Sequence, residues 1–524
     1  MYYALYISTI FIELPQKLLR KDFLKDQNQK RIAIIGAGAT GLVAAKSALE
    51  ENLVCDVYES TSDIGGVWRP DGLAWPGMTV NISRYTGVFS DFTWEQAFPN
   101  KGIDDYPTRE EMYDYLCAYV NHFKLKPYIH LSRRVIQISK KENKWVVRSQ
   151  EGNEIRDEYY DSIILATGRY QAPHLPKFEG LEKFTGETLH SAEYRSKDFS
   201  NKTVLVIGGS ISGTAIAEDI ANNSHQTIHL IRRPRWVVPK RVALDPQKPL
   251  NKIPNDLFHS RKTYKRRDYS WYIQYCAEQN RIPALEVLPG TSPPSAVSNR
   301  YLEKVHQGNI EVIKDEVSHF TESGVVLKSG CSIKVDCVIF CTGYLQDFSY
   351  LDQNSVGNFT SPLLLYEDTF HPDIPDLACI GLNYQLRGAI FPLIELQARW
   401  ASAVFSGRLN LPSVETMQNE IATMQKPDGI TFSRALAMKL GVYDFSELAK
   451  SDPKLYDLAM KSAIIPAQYR LVGQGSNPSV AEVAIRMTEE YRHGCLGKVN
   501  FFQEESSTEN IATIPSSPPM RARL

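Results

Sequence analysis

The sequence lacks three features that would narrow its function at once: paired cysteines, a dominant charge and a long hydrophobic run. Its eight cysteines lie singly between Cys55 and Cys495 with no C-x-x-C pair, which argues against a metal site and indicates a reduced, intracellular protein. We expect the closest set, Cys331, Cys337 and Cys341, to pack in the core. The net charge of −1 over 524 residues provides no field that would attract nucleic acid or an anionic membrane.

No segment is long enough to be predicted as a membrane span. The apolar run "LYISTIFIEL" near the start is too short to cross a bilayer, and no basic stretch precedes it, which argues against a secretory signal. A strand, a disordered extension and a weak membrane contact all stay open for it. We treat 1–27 as an N-terminal extension and expect the Ser/Pro/Glu-rich tail at 501–524 to be disordered. The expected protein is soluble, without a transmembrane segment.

A glycine-rich turn near the start has the context of a dinucleotide-binding motif. In "RIAIIGAGATGLVAAKSALE" an apolar strand leads into G-x-G-x-x-G and then a helix-forming run. The glycines permit a tight turn, the approach of a pyrophosphate and close helix packing. The next strand, "LVCDVYE", ends in Glu59, whose carboxylate would accept ribose hydroxyls and repel a 2′-phosphate. This site is predicted to hold FAD or NAD(H) through Gly36, Ala37, Gly38, Ala39, Thr40, Gly41 and Glu59.

A second turn, "KTVLVIGGSISGTAIAEDIA", departs from the first in two ways. Ser210 replaces the middle glycine. Its side chain would either keep the pyrophosphate slightly further from the backbone or donate a hydroxyl hydrogen bond to it. The following strand ends in Arg232 and Arg233, with Arg235 just beyond, and guanidinium groups there favour a 2′-phosphate; a solvated basic loop is the alternative. The predicted binding residues are Gly208, Ser210, Ser212, Gly213, Thr214, Arg232 and Arg233.

Two different dinucleotides in one chain indicate electron transfer, with FAD in the first site and NADPH in the second. Each turn is matched by a later strand that ends in Thr-Gly, "SIILATG" and "DCVIFCTGY", and Thr342 in the second is a candidate cofactor contact. We predict an α/β fold of two Rossmann-like domains, with the NADP domain inserted in a discontinuous FAD domain. The predicted bounds are 28–180 and 330–500 for the FAD domain, including C-terminal helices, and 181–329 for the NADP domain.

With these motifs assembled, the sequence resembles the flavin-containing monooxygenases, over about residues 30 to 480. "FTGETLHSAEY" (184–194) matches the family fingerprint F-x-G-x-x-x-H-x-x-x-[YF], "IGGVWR" (64–69) its stretch along the flavin, and "HPDIPDLACIGL" (371–382) with "GAIFPLIELQARW" (388–400) its C-terminal signature. The resemblance implies that the fingerprint lies on the linker between the two domains. Gly186 then permits a close approach, His190 serves coupling and positioning, and Tyr194 anchors the linker.

Further site residues follow from the resemblance. "TVNISRYTGVFSDF" (79–92) resembles the segment with the family's active-site Asn, which maps to Asn81; a turn cap is the alternative. His190 is the second candidate catalytic residue. Expected flavin contacts are Gly66, Val67, Trp68, Asn81 and Gln397.

The resemblance implies an NADPH- and O2-dependent monooxygenase that forms a C4a-hydroperoxyflavin. The expected substrate is a small molecule with a soft amine nitrogen or sulfide sulfur, because related Baeyer–Villiger monooxygenases typically have Trp where Tyr194 stands. A Baeyer–Villiger enzyme, or a flavin- and NADP-binding sensor with little oxygenation, stays as an alternative. The missing C-terminal hydrophobic anchor of some animal members leads us to expect a cytoplasmic location, and a homodimer is possible.

Two further segments are expected to be structural. "TREEMYDYLCAYVNHF" (108–123) has a capping box, Thr108 and Glu111, before apolar residues at helical spacing. The basic stretch from Lys240 to Arg267 mixes lysine and arginine with Pro, Asn and Asp, so we expect a solvated loop.

Overall fold

The computed structural model describes residues 29–99, 101–243, 252–258, 276, 280–285, 295–298, 300–357, 359–360, 363–383, 389–423 and 429–496. The predicted extension at 1–27, the tail at 501–524 and most of the basic stretch after residue 243 lie outside these residues.

The described strands form several sheets. They are Arg31–Ile35 (β1), Val54–Tyr58 (β2), Ile129–His130 (β3), Arg134–Lys141 (β4), Lys144–Glu151 (β5), Glu154–Tyr160 (β6), Ser162–Leu165 (β7), Ala172–Pro173 (β8), Glu187–His190 (β9), Phe199–Ile207 (β10), Ser224–Ile231 (β11), Trp236–Val238 (β12), Arg241–Ala243 (β13), Lys252–Pro254 (β14), Ser295–Val297 (β15), Ile310–Lys314 (β16), Val317–Thr321 (β17), Gly324–Leu327 (β18), Ser332–Lys334 (β19), Cys337–Phe340 (β20), Tyr344–Leu345 (β21), Phe370–His371 (β22) and Ile374–Cys379 (β23).

The described α-helices pack on these sheets or on one another. They are Ala39–Glu50 (α1), Trp94–Ala97 (α2), Arg109–His122 (α3), Ile211–Ile220 (α4), Tyr301–His306 (α5), Gln353–Val356 (α6), Ile390–Ser406 (α7), Val414–Thr423 (α8), Gly429–Lys439 (α9), Ser446–Ser451 (α10), Pro453–Lys461 (α11) and Pro478–Leu496 (α12). Short 3₁₀ helices occupy Gly66–Trp68, Lys126–Tyr128, Leu181–Lys183, Asn255–Leu257 and Pro466–Arg470.

The first sheet is mostly parallel and has the strand order β22-β23-β7-β1-β2-β3. β1 pairs in parallel with both β2 and β7, and its residues 32–35 are buried. A short apolar strand of this kind is typical of a parallel sheet covered by helices on both faces. The carboxyl ends of β1, β2 and β7 therefore lie side by side, and the residues that follow these strands meet at one edge of the sheet.

The second sheet is fully parallel and has the order β16-β11-β10-β20-β9. All of its strands come between β7 and β23, and β23 then returns to pair in parallel with β7 of the first sheet. The predicted fold class is thus confirmed: a second Rossmann-like unit interrupts a discontinuous first unit. Its strand β20, at 337–340, lies wholly beyond residue 329, the boundary predicted for this unit, so the unit continues past that residue. The antiparallel pair β8 and β21 lies where the chain crosses between the units.

The helix predicted at 108–123 is confirmed as α3. Thr108 and Glu111 form a capping box in which each side chain accepts a hydrogen bond from the other residue's backbone N–H. The helix buries Met112, Tyr115, Leu116, Tyr119 and Val120 in a core that it shares with β1 and α1, called the first core below. The apolar spacing of the sequence therefore identified a core helix.

The cysteine prediction is confirmed except at one residue. All eight cysteines are free, and Cys337 and Cys341 are buried as expected. Cys331 is exposed because it lies in the turn before β19 rather than in the buried strand β20. No cluster that could hold a metal ion is found among the described residues. None of the helices described is long and apolar enough to cross a membrane.

Candidate dinucleotide and flavin site

The first glycine turn closes tightly between β1 and α1. Gly36 has φ +108°, and a Cβ on it would lie 2.6 Å from the carbonyl oxygen of Ala166, which follows β7. A Cβ on Gly41 would lie 1.7 Å from the Gly36 carbonyl oxygen. Both positions therefore require glycine, one for backbone conformation and one for the packing of the helix against the turn.

The N-terminus of α1 has unused hydrogen-bond donors. Gly38 is the N-cap residue, and no side chain caps the helix. Uncapped N–H groups and the positive end of the helix dipole make such a terminus suited to a pyrophosphate. Gly66 lies over the turn, since a Cβ on Gly38 would lie 3.6 Å from the Gly66 Cα, and Gly65 N donates to the Ala37 carbonyl at 2.9 Å.

The Glu59 carboxylate follows β2 and is held in place by backbone groups. Its Oε2 accepts from Ala37 N at 2.9 Å, and its Oε1 accepts from Thr61 N at 2.9 Å. The residue is buried. Oε2 retains acceptor capacity because a carboxylate oxygen can accept two hydrogen bonds, so Glu59 is fixed at the turn and still able to bind a ribose hydroxyl.

The remaining predicted flavin contacts differ in how strongly they are already engaged by other parts of the protein. Val67 and Trp68 continue the 3₁₀ turn from Gly66, and Trp68 is half-buried against the first core. Gln397 is buried, its Nε2 donates to Asp368 O and Thr369 Oγ1, both at 3.0 Å, and its Oε1 accepts from Gly381 N at 3.3 Å. Both amide donors of Gln397 are therefore used within the protein.

Gln397 nevertheless borders the first site through Gly381. This glycine has φ +67°, and a Cβ on it would lie 3.3 Å from Thr40 Oγ1, at the start of α1. The amide of Gln397 thus fixes a backbone segment that touches the first turn. Its amide donors therefore support the first turn from within the protein, and direct contact with the flavin stays a prediction.

The second turn repeats the geometry of the first. Gly208 has φ +126° and lies against the Cys341 carbonyl, and a Cβ on Gly213 would lie 1.8 Å from the Gly208 carbonyl oxygen. Ser210 occupies the N-cap of α4 with φ −88° and ψ −178°, close to the φ −72° and ψ −178° of Gly38. Any residue adopts that extended conformation, so the serine introduces no backbone strain. Its hydroxyl caps nothing and is exposed.

The side chains of Ser212 and Thr214 differ in exposure. Ser212 is half-buried in the first turn of α4, and Thr214 is buried. The backbone N–H of Thr214 already donates to the Ser210 carbonyl at 3.0 Å. Ser212 therefore lies nearer to the open helix terminus.

A buried histidine that the motif reasoning missed supports the second turn. His229 in β11 is 1% exposed, its Nε2 lies 3.0 Å from the Gly208 carbonyl oxygen, and its Nδ1 lies 2.5 Å from Tyr301 Oη. Burial lowers the pKa of His229 to about 4. The imidazole is therefore neutral at pH 7, with Nε2–H donating to the turn and Nδ1 accepting from Tyr301.

The arginines after β11 are available to a ligand. Arg232 and Arg233 are exposed, and neither has a hydrogen bond or ion pair within the described residues. Arg235 is half-buried, and burial lowers its pKa. The two turns therefore differ as predicted in charge: a carboxylate follows β2 and guanidinium groups follow β11.

The linker fingerprint is explained by packing at three of its residues. A Cβ on Gly186 would lie 2.3 Å from the Phe184 ring and 2.6 Å from the Asp336 carbonyl oxygen, so only glycine fits. Tyr194 is fully buried, its hydroxyl donates to Asp219 Oδ2 at 2.5 Å, and its ring meets Trp75 edge to face at 5.2 Å. Since Asp219 lies on α4 and Trp75 in the first unit, Tyr194 anchors the linker to both units.

His190 has a buried polar atom without a partner. Its Nδ1 accepts from Ala192 N at 3.1 Å, while Nε2 has no hydrogen-bond partner among the described residues. Burial lowers the pKa of His190, and the backbone of Gly343 partly offsets this. The neutral ring therefore carries its proton on Nε2 and has one donor to offer. Beyond the interaction with the Gly343 backbone, this buried donor makes no hydrogen bond within the described residues, so a ligand can compete for it.

Asn81 and Thr342 complete the predicted set. Asn81 is half-buried, and its amide makes no hydrogen bond within the part of the chain that the structure describes, so it does not cap a turn there. The Thr342 hydroxyl donates to the His174 carbonyl, which ties together the segments that cross between the units. Asn81 is thus free to meet a ligand, while Thr342 also has a structural bond.

Comparison with known proteins places this geometry in a family. The sequence profile described as "Flavin-binding monooxygenase-like" matches residues 29–499. The chain belongs to this family. It is 31% identical to "Flavin-containing monooxygenase 2" of Homo sapiens over 493 residues, covering 85% of this chain and 89% of the human protein. It is 30% identical to "Flavin-containing monooxygenase 5" of Oryctolagus cuniculus over 533 residues, covering 93% and 96%.

Solved structures of other oxygenases share the fold. The S-allyl-L-cysteine S-oxygenase of Allium sativum superimposes with a TM-score of 0.57 at 21% identity, covering 88% of this chain and 99% of that one. An open structure of cyclohexanone monooxygenase superimposes with a TM-score of 0.56 at 17% identity, covering 89% and 99%. The flavin monooxygenase family uses FAD and NADPH, and this chain is an FAD-dependent monooxygenase by membership.

The residues present fit both cofactors on physical grounds. The uncapped start of α1 and the fixed Glu59 suit the pyrophosphate and unmodified ribose of FAD. The uncapped start of α4 and the unpaired Arg232 and Arg233 suit the pyrophosphate and 2′-phosphate of NADPH. His190 has a buried N–H donor that the Gly343 backbone engages only in part, and this donor is available to a ligand.

Proposed function

We propose that this flavoprotein is an NADPH- and O2-dependent monooxygenase that transfers one oxygen atom to the amine nitrogen or thioether sulfur of a small molecule. FAD reduced by NADPH would supply the chemistry, forming a C4a-hydroperoxyflavin whose distal oxygen a soft nucleophile takes. The second oxygen atom leaves as water, so one NADPH and one O2 are consumed per product.

The presence of Tyr194 at the end of the fingerprint is the observation that favours nitrogen or sulfur oxygenation over Baeyer–Villiger chemistry. Baeyer–Villiger fingerprints typically end in Trp, whereas the site at Tyr194 is built around a phenol, with its hydroxyl bonded to Asp219 at 2.5 Å and no exposed surface. A Pan troglodytes relative at 31% identity, "Dimethylaniline monooxygenase [N-oxide-forming] 2", supports the same choice by its name. The likeness to cyclohexanone monooxygenase extends to the fold alone.

The chain's own residues would mainly bind, orient and exclude water. We assign FAD to the first turn through Gly36–Gly41, with Glu59 accepting from the ribose of its adenosine. NADP would bind at the second turn, with Arg232 and Arg233 on its 2′-phosphate. Oxygenation by a preformed electrophile needs a dry pocket and placed donors more than an acid–base pair.

Asn81 and His190 are the donors that we assign to the reacting end of the site. The Asn81 amide has two unused N–H donors. The neutral His190 can donate from Nε2 without bringing a charge into the site. We assign His190 to positioning of the nicotinamide end, because a histidine whose pKa is lowered by burial is a poor proton donor at neutral pH.

A substrate panel tests the proposed function. The purified holoenzyme should oxidise NADPH faster than NADH and convert N,N-dimethylaniline to its N-oxide or a thioether to its sulfoxide. Conversion of cyclohexanone to its lactone without either product would identify a Baeyer–Villiger enzyme instead. NADPH oxidation that yields only H2O2 with every substrate would favour a redox sensor. Cytoplasmic location and the homodimer stay predictions.

A further inference from the structure

The segment that carries Asn81 lies between the two units. On one side it rests on the chain that leads into α3: Thr79 bridges to Thr108, and Val80 N donates to the Pro107 carbonyl at 2.9 Å. Such contacts fix the backbone of the segment to the first unit. The opposite side of the segment contacts the inserted unit.

Lys240 of the inserted unit binds that other side, just before Asn81. Its ammonium donates to Thr79 Oγ1 at 2.7 Å and to the Val80 carbonyl at 3.0 Å, and it lies 4.8 Å from the centre of the Tyr106 ring. The prediction of a solvated loop is therefore wrong at Lys240. The reason is that the turn between β12 and β13 packs across the boundary between the units. The local sequence of the turn does not predict this packing.

Asp256 of the inserted unit binds the segment just after Asn81. Its Oδ2 accepts from Ser83 N at 2.7 Å, from Ser83 Oγ at 2.9 Å and from the Thr86 hydroxyl. Three donors on one carboxylate oxygen hold the chain after Asn81, as the Lys240 ammonium holds it before Asn81. Burial raises the pKa of Asp256, and the three donors oppose that rise.

The two contacts belong to one stretch of the inserted unit. Asn255 N donates to the Lys240 carbonyl at 2.8 Å, and β13 pairs with β14 between them. Arg241 adds a bond from its guanidinium to Asp105 at 2.6 Å. Only β12 and its flanking residues separate Lys240 from Arg233, so the chain that follows the predicted dinucleotide arginines also contacts the Asn81 segment.

We infer that Lys240 and Asp256 are positioning residues that hold the Asn81 amide at the reacting end of the site. The inference rests on the proposed function for its consequence, because a misplaced Asn81 amide would let reduced enzyme and O2 release H2O2 instead of oxygenating substrate. NADPH, a proton and O2 then give NADP⁺ and H2O2, with no product formed. Neither residue need touch substrate or cofactor.

Lys240→Met removes the hydrogen bonds to Thr79 and Val80 while keeping an unbranched side chain only one atom shorter. Hydrogen–deuterium exchange of peptides covering 79–86 should be about fivefold faster than in the wild type, the effect of losing about one net hydrogen bond. The fraction of NADPH electrons recovered as H2O2 should rise by a similar factor. Lys240→Arg, which keeps a charged donor, should restore much of both readouts.

The matched control is Lys328→Met, at an exposed lysine of the inserted unit that pairs with Glu316 at 2.9 Å. Thr79→Val provides a second variant that removes one acceptor of Lys240 with little change in volume. Exchange in 79–86 and an H2O2 fraction that match the Lys328→Met control in both test variants would overturn the inference.

The two readouts keep the inference separate from the proposed function. If the wild type forms no oxygenated product, the proposed function fails, yet the exchange of 79–86 still decides whether Lys240 holds the segment. If the wild type oxygenates its substrate and Lys240→Met leaves exchange unchanged, the positioning role alone is refuted.

Discussion

Replacement of Arg470 by methionine tests how much the buried charge cluster beside α1 contributes to stability. Arg470 is 2% exposed; its Nη2 donates to Asp91 and to Glu395, both at 2.8 Å, and its Nε donates to Ser90 Oγ at 2.7 Å. Burial opposes the charge on Arg470, but Asp91 and Glu395 outweigh it and raise its pKa. Burial likewise opposes the Asp91 carboxylate, and Arg470 followed by Lys46 outweighs it and holds the pKa of Asp91 well below its usual range.

The size of the stability loss expected for Arg470→Met follows from the burial of both Arg470 and Glu395. The side chains of Arg470 and Glu395 are 3% and 2% exposed, so Arg470→Met leaves Glu395 and Asp91 short of a compensating charge in a dry interior. Breaking a buried pair in this way costs about 3–5 kcal/mol. At about 2 °C per kcal/mol for a large domain, the unfolding temperature should fall by about 6–10 °C.

Thermal unfolding of the holoenzyme at pH 7, followed by flavin fluorescence, measures the effect. Arg486→Ala is the matched control, because its pair with Glu482 lies on an exposed helix face with Arg486 54% exposed, and exposed pairs contribute less than about 1 kcal/mol. Adding Glu395→Gln to Arg470→Met should recover part of the loss by removing one unpaired buried charge. Equal unfolding temperatures for Arg470→Met and Arg486→Ala would refute this reasoning.

Three further predictions concern the turns and the reacting end. Arg232→Ala with Arg233→Ala should lower the preference for NADPH over NADH in kcat/KM by about 30- to 150-fold, from the loss of two exposed charge-assisted bonds; an unchanged ratio would remove their assigned role. Asn81→Leu should shorten the lifetime of the oxygenated flavin absorbance band in stopped flow by about tenfold, and an unchanged lifetime would mean that Asn81 is wrongly placed. Burial lowers the pKa of His229 from 6.5 to about 4. Between these pH values the unfolded chain binds a proton at this histidine that the folded chain does not. The free energy of unfolding should therefore fall by up to about 3 kcal/mol as the pH drops through this window. His229→Gln keeps a donor for the Gly208 carbonyl without a titrating group, and unfolding temperatures measured from pH 7 to 4.5 should fall less steeply; equal slopes would contradict this.

The turns were predictable from the sequence because their requirements are local. A left-handed φ at Gly36 and the absence of room for a Cβ at Gly41 each demand glycine. Likewise, a residue that directly follows a parallel strand is placed at the sheet edge, which fixed Glu59 and Arg232 relative to their turns.

The supporting residues were not predictable because their partners are distant in the chain. Lys240 reaches Thr79 and Val80 across the boundary between the units, and its own sequence context is that of an exposed basic loop. Gln397 shows the converse case: the signature placed it near the first site, but its donors are used by Asp368 and Thr369. Tertiary contacts decide which polar side chains stay available to a ligand, and the spacing of residues in the sequence does not reveal those contacts.

The central claim, oxygen transfer to a soft nucleophile, is tested most directly with ¹⁸O2. The holoenzyme, NADPH and a tertiary amine or thioether should yield an N-oxide or S-oxide that carries one ¹⁸O atom for each NADPH oxidised. Product without the label, or complete recovery of the electrons as H2O2 with every amine and thioether tried, would contradict the account.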